Sequence, residues 1–298
     1  MPLVVIAALA TLMITFATGG APKAQANANA VAPCVARTVP DSKAIETYTA
    51  KLRASGSTRT QIDKALATKF GLKKAATKTV VSPNSNAYPS DLQEWLSIYT
   101  AGGNGCGTPY GYAQFNWHFT NGVNGRVTNE CNSASQGWNS CHDAEDIAAI
   151  TISDNNGGGV YTFSRYATSY GYIMDSNFHW NNTYGNPEPW YFSAGSASNN
   201  GVSFPMYTFD HWVDGSEHNP WGSDFSNANG NMGIAFKLLN GDSCKNVTAY
   251  GHYDHSWNQT SINSVSVGPW SIGVGWSSSN NHWGTTVDTL GQQYWLCL

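Results

Sequence analysis

The densest set of reactive side chains lies between Asp210 and Asp224. Asp210, His211, Asp214, Glu217, His218 and Asp224 put six ionisable groups within fifteen residues. Carboxylate oxygens in that number suit a structural calcium ion, and the two histidines suit zinc. Two of these carboxylates could also serve as acid and base in glycoside hydrolysis, where their separation across the site decides the matter. The plainer reading is an acidic surface loop built on the Asp214-Gly215 turn. A second set, His142-Asp143-Ala144-Glu145-Asp146, directly follows Cys141. Its acids suit a first helical turn or the approach to a strand from Ile147 to Ser153. In a third set, His252-Tyr253-Asp254-His255, strand geometry puts His252 and Asp254 on one face and Tyr253 and His255 on the other. A His–Asp pair there could orient an imidazole as a base, although polar residues facing solvent give the same pattern.

Nucleophilic and nucleotide signatures are absent from the sequence: no G-x-S-x-G elbow, H-E-x-x-H, Walker loop or dinucleotide fingerprint occurs. The aromatic residues suggest a different chemistry. Trp180, Trp190, Tyr191, Trp212 and Trp221 fall in stretches rich in Gly, Asn and Pro, where a ring would stack on a sugar while nearby amides bond its hydroxyls. A large β domain also needs many aromatic residues simply to fill its core.

The ends of the chain point to export. Residues 3 to 17 are an unbroken apolar or small-residue run, of the length of a signal h-region and too short to span a bilayer. Ala24-Gln25-Ala26 and the two A-x-A triplets after it fit a cleavage site, so residues 1–30 read as a signal peptide, though one lacking a basic n-region. Cys34, Cys106, Cys131, Cys141, Cys244 and Cys297 all lie beyond it, an even set that suits disulfides in an oxidising compartment. No C-x-x-C occurs, which disfavours zinc through thiols, and no later stretch is apolar enough for a membrane helix.

Charge divides the remainder in two. Residues 31 to 83 carry ten Lys and Arg against three acids, a net of +7. Residues 84 to 298 carry four against sixteen, a net of −12, and all twelve tryptophans. That acidic balance argues against nucleic-acid binding by the larger part, since phosphate needs a basic face.

Within the basic part, residues 31–72, the spacing predicts two short helices. Asp41 or Ser42 caps the first, whose stripe is Ile45, Tyr48 and Leu52, and Gly56 stops it. Thr58 and Gln61 form a capping box for the second, with Ile62, Leu66 and Phe70 as its stripe and Gly71 as its end. Residues 73–89 read as an exposed linker. The β domain is expected over 90–298, opening with a third short helix from Ser90 to Thr100. Beyond Tyr110 the period becomes two, with Trp270, Ile272, Val274 and Trp276 as the clearest strand and Trp283 to Asp288 returning beside it. Many short strands joined by Gly/Asn turns indicate an antiparallel β-sandwich or jelly-roll-like domain behind a short helical segment.

Three functions compete. The first is a secreted, extracellular, non-catalytic module that binds glycan or another cell-surface polymer, with no cofactor beyond a structural calcium ion. The second is a hydrolase or toxin made as a zymogen, its basic helical segment a propeptide held by charge complementarity and released by a cut in the linker. A self-associating or pore-forming protein, suggested by the Trp/Ile/Val face at Trp270 to Trp276, is the third.

Overall fold

The computed structural model describes residues 40–80, 92–101, 110–119, 145–154, 156–174, 180–181, 196–207, 210–213, 222–239, 245–256, 260–280, 282–289 and 294–296. All of these belong to one compact unit, Val35–Leu298. The chain opens with helices α1 (Ser42–Ala54) and α2 (Arg59–Phe70). Five strands follow: β1 (Leu72–Val80), β2 (Leu92–Ala101), β3 (Tyr110–Phe119), β4 (Glu145–Asp154) and β5 (Val160–Met174). Next come β6 (Trp180–Asn181), β7 (Ser196–Ser198), β8 (Gly201–Tyr207), β9 (Asp210–Val213) and β10 (Gly222–Leu238). The last five are β11 (Lys245–Ser256), β12 (Ile262–Val267), β13 (Ile272–Trp276), β14 (His282–Asp288) and β15 (Tyr294–Leu296).

The fold is mainly β and antiparallel, as the sequence pattern predicts. Sheet A runs β1-β2-β3-β10-β5-β6 with β9 attached to β10, and sheet B runs β14-β11-β4-β8-β7 with β15 attached to β11. One apolar core joins them. Leu96, Ile98, Phe115, Trp117, Ile234 and Phe236 of sheet A meet Ile150, Ile152, Val202, Phe204, Val247 and Tyr253 of sheet B. Burying such aliphatic and aromatic side chains contributes about 1.5–3 kcal/mol each, which makes this layer the main source of stability.

Both helices form where capping chemistry predicts. The Asp41 carboxylate accepts from Lys43 N at 3.0 Å and Ala44 N at 3.3 Å, and Thr58 and Gln61 close a complete capping box. Gly71 ends α2 at φ +68°, a left-handed conformation that glycine adopts without penalty, and the chain passes straight into β1.

Two local expectations differ from the structure. The third helix predicted from Ser90 to Thr100 is strand β2. Its residues satisfy both periods, because Leu92, Leu96 and Ile98 face the sandwich core while Trp95, Ser97 and Tyr99 face outward. Pairing with β1 and β3 on its two edges supplies the ladder that selects the strand. Lys73 to Val80, assigned to an exposed linker on composition, make up most of β1, paired with β2 from Leu72↔Ala101 to Val80↔Glu94. Alternate residues of a strand can stay polar where one sheet face meets solvent, so a Lys-rich run does not exclude an edge strand. At the far end, β13 pairs with β12 in a separate two-stranded sheet, whereas β14 pairs with β11 in sheet B, so the last expected hairpin is split between two sheets.

Candidate functional site

The outer face of sheet A, the side turned away from sheet B, carries the richest polar arrangement. Strand register lines its residues up in rows. Trp95 of β2 pairs with Asn116 of β3, Asn116 with Asn231 of β10, and Asn231 with Thr168 of β5. The next row runs Ser97, Gln114, Gly233 and Tyr166, and the one after it begins Tyr99, Tyr112 and Ala235. Alternation along each strand sends these side chains outward while their neighbours fill the sandwich.

Helix α1 lies over this face, and one carboxylate anchors it. Glu46 is fully buried. Its Oε1 accepts from the Tyr112 hydroxyl at 2.5 Å and from Gln114 Nε2 at 2.9 Å; its Oε2 accepts from Asn231 Nδ2 at 2.6 Å. Asn231 Nδ2 also reaches the Glu46 carbonyl at 3.0 Å, so side chain and backbone of α1 are held together. Gly233 leaves the space this requires, since a Cβ there would collide with the Tyr112 hydroxyl and the Glu46 carboxylate. Burial raises the Glu46 pKa to about 7, although the bonds from Tyr112, Asn231 and Gln114 and the charge of Arg53 all pull it down. Burial and the adjacent Glu46 push the Tyr112 phenol well above its usual range, which keeps its proton available for donation.

Arg53, two turns along α1, donates to the carbonyls of Gly230 and of Trp117, the latter at 2.8 Å. Its guanidinium also lies 4.8 Å from the Trp95 ring centre, and that of Arg59 lies 4.3 Å away. Asp63 of α2 accepts from the Tyr99 hydroxyl at 2.8 Å and pairs with Lys74 at 2.7 Å. A small apolar cluster completes the contact, with Ile45, Ile62 and Leu66 against Leu72, Tyr99, Tyr112 and Ala235. Between α2 and the sheet runs a shallow cleft bordered by Arg59, Asp63, Lys74, Trp95 and Asn116.

This docking leaves polar groups unsatisfied. Asn116 is only 1% exposed, and its Oδ1 has no hydrogen-bond partner among the described residues; nor have Asn231 Oδ1 and Thr168 Oγ1 in the same row. Buried acceptors without donors cost about 1–3 kcal/mol each.

The second and third sequence clusters meet inside the sandwich. Asp146 of β4 accepts from the Tyr253 hydroxyl at 2.6 Å, from His255 Nδ1 at 2.9 Å and from Ser256 N at 3.0 Å. The imidazole's acid is therefore Asp146 on the neighbouring strand, and Tyr253 and His255 do share a face. The solvent-facing alternative fails, because His252 and His255 are both buried. His252 bonds Thr286 Oγ1 at 3.0 Å, and burial lowers its pKa to about 4.

Of the cluster between Asp210 and Asp224, only backbone positions are described. Strand pairing sets His211 opposite Asp224 and Trp212 opposite Ser223, and Asp210 lies opposite Phe225. Asp214, Glu217 and His218 lie outside the described residues, as do Trp190, Tyr191, Trp221 and all six cysteines; Trp180 is described only as a backbone position in β6. Among the described residues no group of three or more His, Cys, Asp or Glu could hold a metal ion. No helix among them is long and apolar enough to cross a membrane.

Sequence reasoning missed Glu46 and the rows beneath it. One signal was present: Gln114, Asn116 and His118 alternate with Ala113, Phe115 and Trp117, which marks a strand with one polar face.

The fold and site define a two-sheet antiparallel β-sandwich with a helical pair docked on its outer face. No protein-family profile matches the chain, and no curated protein matches it. Among solved structures it is similar to the delta-toxin of Clostridium perfringens, at 8% identity and a TM-score of 0.33, over 73% of this chain and 88% of the toxin. It is also similar to the Clostridium perfringens NetB toxin in its membrane-inserted form, at 12% identity and a TM-score of 0.31, over 73% and 96% of the two chains. At these values neither likeness bears on the activity of this chain.

Proposed function

We propose that the protein is an exported, non-catalytic module that binds a hydroxyl-rich polymer, such as a cell-surface glycan, on the outer face of sheet A. The observation that carries this reading is the row Trp95, Asn116, Asn231 and Thr168. It combines an aromatic ring, over which Arg53 and Arg59 lie, with three polar groups that are buried in this structure and keep an oxygen without a hydrogen-bond partner among the described residues. Rings stack on the apolar faces of sugars, and amide oxygens accept from their hydroxyls. Nothing in this row supplies an acid and a base flanking a common point, so binding fits it better than hydrolysis.

Retention of the secreted protein on a panel of purified polysaccharides tests the idea. The wild type should bind at least one polymer, and Trp95→Ala and Asn116→Ala should each weaken that binding about tenfold, the equivalent of ~1.4 kcal/mol. Binding by both variants at the wild-type level would remove sheet A as the site.

A precursor toxin or hydrolase is the second reading, favoured by the cover that α1 and α2 form. A releasing cut would have to fall within residues 81–89, because Lys73 to Val80 are hydrogen-bonded into sheet A.

A further inference from the structure

We propose that α1 and α2 form a tethered lid over the polar row of sheet A, hinged at Gly71 and latched through Glu46, so that deprotonation of the latch uncovers the binding face. The inference rests on the binding reading above and names the regulation of that same face.

Three observations carry it. First, the covered surface keeps polar atoms that α1 does not meet, since Asn116 Oδ1, Asn231 Oδ1 and Thr168 Oγ1 have no hydrogen-bond partner among the described residues. Second, the tether is defined. Gly71 holds a left-handed conformation between α2 and β1, and β1 is anchored along its length to β2, so the helices can lift without unpicking the sheet. Third, the latch is one buried carboxylate surrounded by donors from two strands.

The neighbours of Glu46 define its response. Arg53 is the charged group acting on it from α1, Tyr112 faces it from β3, and β10 contributes the neutral Asn231. Tyr99 of β2 senses the Glu46 charge, while its hydroxyl is engaged by Asp63 of α2, which also holds Lys74. Arg59 of α2 lies over Trp95, and His118 of β3, bonded to Asn229 and beside the charges of Arg53 and Arg59, has its pKa lowered by burial. On β5, Ser164 binds the start of α1 through Ser42, and Arg165 is turned to Thr162 and Ser198.

The direction follows from linkage. The carboxyl titrates near 7 when docked and near 4.5 when free, so the docked state holds its proton more tightly. Docking is therefore strongest below pH 4.5 and weakens as pH rises toward 7. The full span corresponds to roughly a 300-fold change in the docking equilibrium, from the ratio of the two acid constants.

Hydrogen exchange on the full-length secreted protein between pH 4.5 and 8, corrected for intrinsic exchange, reads this directly. In the wild type, protection across α1 should fall by up to about 300-fold as pH rises, while β4 and β11 stay protected. Glu46→Gln should hold α1 equally at every pH. That variant keeps an oxygen to accept from Tyr112 and Gln114 and carries no titrating group. Wild-type protection that does not change with pH, or changes in parallel in Glu46→Gln, overturns the lid. Exchange needs no ligand, so the two ideas fail separately. Opening of α1 with no polysaccharide bound at pH 8 would sustain the lid and sink the glycan reading; retention that rises with pH in the wild type alone supports both.

Discussion

Two buried polar networks lie on opposite faces of the β framework, and they are constructed differently. The Asp146 network sits between the sheets, where Tyr253, His255 and the Ser256 amide all come from β11, the strand hydrogen-bonded to Asp146's own. Opening it means separating the sandwich. The Tyr253 ring is in contact with both Trp117 and Trp283. The Glu46 network sits on the outer face and joins a helix to strands with which it shares no backbone ladder. Opening it exposes only the small apolar cluster around Ile45, Ile62 and Leu66. The first network therefore belongs to the global folding unit and the second to a local one. A buried carboxylate can serve rigidity or release, and the backbone around it decides which.

The contrast can be broken most severely at Asp146. Asp146→Ala leaves three buried donors without their acceptor and should cost about 3–5 kcal/mol of global stability. Urea denaturation followed by tryptophan fluorescence would show a lowered midpoint with both helices and sheets lost together. A variant that unfolded α1 alone would make the two networks equivalent.

The next effect in size is a pH response opposite in sign to that of the lid. His252 titrates near 4 in the folded chain and near 6.5 when exposed, so its contribution is complete above 6.5 and lost as pH falls toward 4. At about 1.4 kcal/mol per unit, the loss reaches roughly 3 kcal/mol by pH 4. Denaturation midpoints of His252→Gln should fall less steeply over this window than those of the wild type. The His252 contribution thus runs opposite in sign to that of Glu46, and equal slopes for variant and wild type would remove that opposition.

The smallest effect sharpens the comparison from the lid side. Asp41→Ala removes the N-cap of α1 and should cost that helix about 1 kcal/mol. Exchange should quicken within Ser42–Ala54 while the urea midpoint hardly moves. A midpoint lowered by the full amount would mean that the helix and the sandwich unfold as one.

The three acids of the basic segment show how much of this was legible. Asp41 was readable as a cap and is one. Asp63 and Glu46 had no local role to reveal, because their partners, Tyr99 and Lys74 for one and Tyr112, Gln114 and Asn231 for the other, are distant in sequence. Glu46 binds neutral donors of the sheet, and Arg53 donates to two backbone carbonyls and lies over an indole ring.

Local chemistry alone determined the two helices, their caps, the strand alternation beyond Tyr110 and the mainly β architecture. These depend on side chains a few residues apart, whose effects the chain cannot avoid expressing. Tertiary structure decided that residues 92–101 are a strand, that Lys73 to Val80 join sheet A, and that His255 takes its acid from β4. It also placed Trp95, Asn116, Asn231 and Thr168 in one row. Each of these results from pairing between distant segments, where burial and register outweigh local preference and one residue of slip would turn every side chain to the opposite face.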